Sequence, residues 1–488
     1  MSTNQKKKAP TGVDILWGII DNAECFKTLQ YQHLIEADIN NRYELLRIGS
    51  EDFKNWAIHK LSEAGYGISP EGLKYIISRL NAKVWAIDKQ IEIHSRIART
   101  DKAIYYNLCN KYGELVRIAK DGHSLASSQS CIVKFMRSSN MKEQYRPLDD
   151  KDIGIFDLQK YFNIKSQESL HLLLIYIVSC FIPKIAHPIL VTTGSQGAAK
   201  TTSNVLIKRI VDPAFADIVS LPKDKRDLIV QLNRGYMIFY DNMKKINNEF
   251  NDIFCQASTG GYQIARKLHT DDDIIAYKLQ RCLLLNGIDE LTDQPDLLDR
   301  SISIRYERIR DTQRITEEEL YTNFNQDLPY FLNDIFNIVS KAMNIIDDIK
   351  LDKLPRMADF TRWGYAIAEV LEIGGDNFLQ YYKSNQTGLG LELLQSDTTA
   401  MTIIEFMKQT KEWKGSVKAF WELLNTFAVR TGINCNDPTW AKNANSLGRK
   451  LTEIKVNLEE QGVFFTRQNV GTHKELNIHY KAHENEKQ

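Results

Sequence analysis

Eight consecutive residues, Gly194-Ser195-Gln196-Gly197-Ala198-Ala199-Lys200-Thr201, combine small side chains, a lysine and a hydroxyl in an order suited to holding phosphate. They follow a short apolar run, His187 to Thr193, and open a helical pattern from Thr202 to Ile210. Small residues let backbone N–H groups wrap phosphate oxygens, and the helix N-terminus adds a favourable dipole. Lys200 would bring positive charge to the β- and γ-phosphates, and Thr201 would offer its hydroxyl to Mg²⁺. The candidate ATP contacts are therefore Gly194, Ser195, Gln196, Gly197, Ala198, Ala199, Lys200, Thr201 and Thr202. The pattern GxxGxxKT is that of a Walker A loop, with alanine at position 199 where glycine is usual. Alanine is harmless there in helical dihedrals and costly if φ is positive. The competing reading is a small-residue turn with a chance Lys-Thr pair, and the strand before it and helix after it favour the phosphate loop.

Three further strand ends carry polar groups. Gly235 to Tyr240 is apolar and ends in Asp241-Asn242, 41 residues after Lys200. A carboxylate at the end of a buried strand is where an aspartate holds Mg²⁺; the alternative is a carboxylate capping the next turn. Asn242 stands where a catalytic glutamate is usual and is kept among the catalytic candidates. Asp241, Glu249 and Asp252 are the candidates for activating water. Arg281 to Leu285 leads into Asn286-Gly287, either a γ-phosphate-sensing amide or a turn pair. Arg300 precedes the strand pattern Ser301 to Ile304. It is a candidate finger for a neighbouring subunit's γ-phosphate, or it pairs locally with Asp296 or Asp299.

These residues need a sheet to carry them. The 488-residue chain has a 43% hydrophobic and 26% charged composition, enough for a sizeable core, and its length suggests about three domains. A formal charge of +1 excludes a polycation, so nucleic-acid binding must use local basic surface. Seven scattered cysteines without a CxxC pair fit a reducing cytoplasm. Leu170 to Ile182 is too short to span a bilayer, so no membrane partner is expected. Residues 1–12 read as a flexible tail and 13–165 as an α+β module, a collar or DNA-binding unit. Within it, helices start at Phe53 and Ser69 and strand-like runs lie between Ile91 and Ile118. Asp149-Asp150-Lys151-Asp152 reads as a solvated linker. Alternating strands and helices over 166–315 predict an α/β unit with a parallel sheet. Residues 316–411 read as a helical lid, 412–480 as a winged helix and 481–488 as a second tail.

Together the motifs resemble AAA+ ATPases of the superfamily 3 and MCM-like helicase type, carried by phages, plasmids and integrative elements. Within that group the chain is similar to an ATP-binding family of mobile elements. The matching pieces are Gly194 to Thr201, Leu221-Pro222 to Leu228, Asp241-Asn242, Thr259-Gly260-Gly261 with Arg266, Thr270-Asp271-Asp272, Asn286-Gly287-Ile288 and Asp296 to Arg300. The likeness covers about 170–310 and continues through Leu354 to Phe360. It implies a P-loop AAA+ core and a ring, a hexamer, with ATP at subunit interfaces. Lys200, Thr201, Asp241 and Asn286 would come from one subunit and Arg300 from the next. Arg356 or Arg362 would be a second sensor in cis.

DNA contacts are expected at two places. Ile264 to Lys278 reads as strand, turn, strand, and relatives point such a hairpin into the pore. Arg266, Lys267 and His269 would follow a phosphate backbone, although the acidic turn equally fits intersubunit pairing. Lys223 to Asp227 is a loop cluster facing DNA, a neighbour or solvent. In the C-terminal unit, Val417 to Ala428 and Thr439 to Ile454 read as helices, the second presenting Lys442, Arg449 and Lys450. The strands around Asn469 to Gly471 form a wing with Arg467, and His473 and His479 read as wing residues rather than a metal pair. A winged helix docks duplex DNA or protein. Two functions follow: an ATP-dependent DNA helicase translocating on single-stranded DNA, or an ATP-gated loader that does not unwind.

Overall fold

The computed structural model describes residues 9–481 except 41, 130, 150–151, 244–245, 267–273, 288–294, 311, 313 and 471–472. Its first unit is helix α1 (Gly12–Asp21), strands β1 (Cys25–Thr28), β2 (His33–Ile39) and β3 (Arg42–Arg47), then α2 (Glu51–Glu63) and α3 (Pro70–Trp85). Thr11, Ser50 and Ser69 start the three helices, each side chain accepting a first-turn N–H. With β4 (Gln90–Ile91) the strands form a sheet ordered β3-β2-β1-β4, and the helices bury Leu16, Phe53 and Ile76 against it. The Ile91–His94 run is two short strands, β4 and β5 (Ile93–His94).

A second sheet follows: β6 (Ile97–Arg99), β7 (Ile104–Asn107), β8 (Glu114–Ala119) and β9 (Gly122–Ser127). Strand β10 (Lys134–Phe135) pairs with β5. This sheet does not share the first unit's core. Ile104, Tyr106, Val116 and Ile118 pack in one apolar cluster with the helices downstream. The Tyr106 hydroxyl donates to the Val211 carbonyl at 3.1 Å. Among the described residues, the second sheet's apolar face packs with the later helices rather than with the first unit's core.

The central sheet is parallel throughout and ordered β12-β15-β11-β16, which agrees with the α/β expectation. Its chain order is α4 (Gln167–Ser179), β11 (Ile189–Thr193), α5 (Lys200–Val211), α6 (Lys225–Arg234), β12 (Met237–Met243), α7 (Asn248–Thr259), the antiparallel hairpin β13 (Gly261–Arg266) and β14 (Ile274–Leu279), β15 (Cys282–Gly287), α8 (Pro295–Leu298) and β16 (Ser301–Arg305). Successive side chains alternate between the two faces. Leu190, Phe239 and Leu284 enter the cluster shared with α4 and α5, whereas Val191, Tyr240 and Leu285 enter a second cluster under α6 and α7. Both faces are covered, so the strands read as unbroken apolar runs.

Helices α9 (Glu317–Ile345), α10 (Ala358–Val370), α11 (Gly375–Ser396) and α12 (Thr398–Thr410) follow. The last is corrected from lid to C-terminal unit, since Ile403 and Met407 pack with Phe420, Leu447 and Ile478. That unit continues with β17 (Glu412–Ser416), α13 (Val417–Thr431), α14 (Ala444–Glu453), α15 (Lys455–Glu460), β18 (Val463–Val470) and β19 (His473–Tyr480), in a sheet ordered β17-β19-β18. The second helix starts at Ala444, not Thr439, because Asn443 and Ser446 form a reciprocal cap. Lys442 therefore lies in the preceding loop. No helix among the described residues is long and apolar enough to cross a membrane.

Candidate active site

A cleft of about 1260 Å³ opens at the C-terminal ends of the parallel strands. It is lined by residues 193–201 together with Asp241, Asn242, Asn286, Gly287 and Arg305, and by Glu392, Gln395 and Ser396 from the end of α11. The 194–199 loop joins β11 to α5. Gly194 has φ +135°, and a Cβ there would stand 2.3 Å from the Tyr306 carbonyl oxygen, so only glycine fits. Gly197 also has positive φ, +81°. Ala199 is left-handed, φ +56° and ψ +28°, the costly alternative for an L residue. Lys200 folds its ammonium back onto the loop, donating to the carbonyls of Gly194 and Ser195. Thr202 lies one residue further into α5 and does not line the cleft.

Thr201, Asp241 and Asn286 meet beneath the loop. The Thr201 hydroxyl donates to one Asp241 carboxylate oxygen at 3.0 Å, and the Asn286 amide donates to the other at 2.5 Å. The same amide nitrogen lies 3.2 Å from Thr201 Oγ1. A carboxylate only accepts, so the Asn286 nitrogen must face it. That orientation leaves Asn286 Oδ1 buried with no partner. Asn242 donates its backbone N–H to Asp241 at 2.9 Å and is itself left-handed, φ +54°. Of the candidates for activating water, Asp241 lines the cleft, while Glu249 is exposed and paired with Lys225 at 3.5 Å and Asp252 is exposed on α7.

None of Arg300, Arg356 and Arg362 lines this cleft; Arg300 is the one expected to act on a neighbouring subunit's phosphate. Arg300 is paired with Asp296 at 2.5 Å, with a side chain only 14% exposed. Arg356 bridges Asp296 and Asp299, and Arg362 donates to the Ile346 carbonyl. Burial opposes ionisation of Asp296, but Arg300 and Arg356 outweigh it and hold the carboxyl below its usual range. Neither proposed second sensor lines the cleft. Sequence reasoning missed Arg305, which does. Its signal in the sequence is that it directly follows the strand pattern Ser301 to Ile304; the structure pairs it opposite Thr193 of β11. A guanidinium nitrogen of Arg314 also stands 3.6 Å from where a Gly197 Cβ would be.

For DNA, Arg266 lies in β13, while Lys267 and His269 fall outside the described residues. Asp224 caps α6, so part of the Lys223–Asp227 cluster is structural. Lys442 and Arg449 are exposed. Lys450 is tied to Asp397 and the Thr439 carbonyl, and Arg467 ties β18 to α14 through Thr452 and the Gly448 carbonyl.

Residues 155–384 match the family model of the actinomycete integrative conjugative element replication protein. Residues 399–487 match the C-terminal domain model of the same replication protein, RepA, so the two matches cover about two thirds of the chain in order. The chain belongs to this replication-protein family. The C-terminal match starts within α12. Among solved structures, one described as the SCCmec type IV Cch active helicase is similar at 13% identity, covering 88% of this chain and 89% of that one, with a TM-score of 0.47. The apo NrS-1 C-terminal region is similar at 13% identity, covering 96% and 99%, with a TM-score of 0.39. No curated protein matches the chain.

Proposed function

We propose that this member of the replication-protein family is an ATP-dependent DNA helicase acting as a ring, a hexamer, with a P-loop AAA+ core and a C-terminal winged helix. The observation that carries the reading is the convergence of the glycine loop, Thr201, Asp241 and Asn286 in one cleft at the strand ends. The cleft fits ATP and Mg²⁺. Gly194 and Gly197 keep the loop backbone free of side chains, Lys200 is held within it, and among the described residues the donors to Asp241 are neutral. Thr201 and Asp241 would hold Mg²⁺, which would offset negative charge on the β- and γ-phosphates. Lys200 and Arg305 would bind the phosphate oxygens. The unpartnered Asn286 Oδ1 would accept a hydrogen bond from the attacking water and orient it as it loses its proton. Asp241 is the carboxylate available to take that proton.

Arg300 would serve a neighbour's site only after leaving Asp296. Single-stranded DNA would pass the β13–β14 hairpin, whose exposed Tyr262 gives bases a surface to stack on. Lys442 and Arg449 would contact duplex phosphates, whereas Lys450 and Arg467 act as internal braces.

The test is ATP turnover with and without single-stranded DNA, alongside displacement of a labelled strand, for the intact chain and Lys200→Ala. Turnover and displacement are expected in the intact chain. Lys200→Ala should lower turnover by roughly 10²–10³-fold. DNA-stimulated turnover without displacement supports the loader instead, and a folded chain without turnover overturns both.

A further inference from the structure

We infer that Cys180, His187 and Cys282 form a buried site for a thiophilic divalent ion, with zinc as the best match. Among the described residues they are the one group whose sulfur and imidazole donor atoms lie within 4.8 Å of one another in this way, and all three are buried. They come from three elements: Cys180 ends α4, His187 lies just before β11, and Cys282 opens β15. The cluster therefore sits at the end of the sheet opposite the phosphate loop and is independent of the proposed ATPase reading.

The second observation is His187 itself. It is 1% exposed, and its ring nitrogens have no oxygen or nitrogen partner, which leaves the Cys282 thiol as the polar group beside them. Leaving such a buried polar group without a full set of partners is unfavourable. A metal ion would use one of the two nitrogens. The backbone around the cluster is fixed: the His187 N–H donates to Ser258 at 2.9 Å, the Cys282 N–H to Tyr236 at 3.1 Å, and the Tyr236 hydroxyl to the Cys180 carbonyl at 2.8 Å. Donors around a tetrahedral zinc stand about 3.5–3.8 Å apart, so small side-chain rotations would close the site. Two sulfurs and an imidazole select zinc-like ions over Mg²⁺. His187 also lines a cleft of about 400 Å³ beside Lys184 and Arg281, which gives an entry path.

The test uses the full chain after chelator treatment under reducing conditions, titrated with Co²⁺ and then Zn²⁺. Thiolate-to-cobalt charge-transfer absorption is expected to saturate near one equivalent, to bleach with Zn²⁺, and to be lost in Cys282→Ser. An oxygen-lined nucleotide site cannot give that band. Because Cys282 is fully buried and its replacement perturbs the core, His187→Gln is titrated in parallel and should weaken cobalt binding by about 10-fold or more. A folded wild-type chain without the band overturns the inference. So does a mass showing Cys180 and Cys282 joined as a disulfide under the same conditions.

Discussion

Asp212 and Asp241 stand near opposite ends of β12, and the fold completes one while leaving the other open. Asp212 accepts from Arg96 and Lys208 at 2.9 Å each, and from the backbone N–H groups of Tyr236 and Met237 at 3.0 Å each. Arg96 spends its other donors on the carbonyls of Asn107, Lys142 and Pro213. Burial opposes the Asp212 charge, but Lys208 and Arg96 outweigh it and hold the carboxyl far below its usual range. Among the described residues, Asp241 receives a hydroxyl, an amide and a backbone N–H and no cation. A saturated buried carboxylate fastens elements together, and one that faces a cleft without a cation can receive one.

Asparagine at each position tests that contrast. Asp212→Asn leaves Arg96 buried without its counter-charge and is expected to cost about 3–5 kcal/mol in urea unfolding. Asp241→Asn should change stability by less than about 1 kcal/mol while removing Mg²⁺-dependent ATP binding, measured by calorimetry. Equal losses of stability would break the comparison. The Asp212 contribution is also pH-dependent. Its folded value lies below the unfolded one, so the stabilisation is full above about pH 4 and lost as acid protonates it.

The seam between the first sheet and the central unit supplies an intermediate case. His94 is driven down to about 4, chiefly by burial; Glu92 opposes the shift, and Lys184 and Lys278 add to it. The unfolded chain therefore takes a proton that the folded chain refuses between about pH 6.5 and 4. Stability should fall with decreasing pH across that window by roughly 2–4 kcal/mol in total. His94→Gln should flatten this part of the urea midpoint profile. An unchanged profile would place the sensitivity elsewhere.

The same contrast explains what the sequence makes legible. Asp241 and Asn286 each end an apolar run, and Gly194 to Thr201 are contiguous, so their types and spacing expose them. Glu392, Gln395 and Ser396 reach the cleft from a helix about 190 residues after the loop, with no local pattern to announce them. The strands between Cys25 and Arg47 carry charges among their apolar residues and leave no clear period. Tyr105-Tyr106 reads as strand, yet nothing local says that Tyr106 docks on Val211. Arg300 and Asp296 are four residues apart, so their pairing is legible as an alternative, and the two side chains are joined within this chain.

The smallest expected effect concerns two loop positions that both favour glycine. Ala199 holds a left-handed backbone that costs an L residue about 1–2 kcal/mol. Ala199→Gly removes that strain but adds about 0.5–1 kcal/mol of unfolded-state entropy. The net expectation is a gain of up to about 1 kcal/mol in urea unfolding, with ATP affinity held within about twofold. Gly194→Ala should act in the other direction, because its Cβ meets the Tyr306 carbonyl oxygen and φ is again positive. If Ala199→Gly instead destabilises, the methyl group contributes packing that outweighs the backbone strain. The loop would then be held in shape by its side-chain contacts as well as by its glycines.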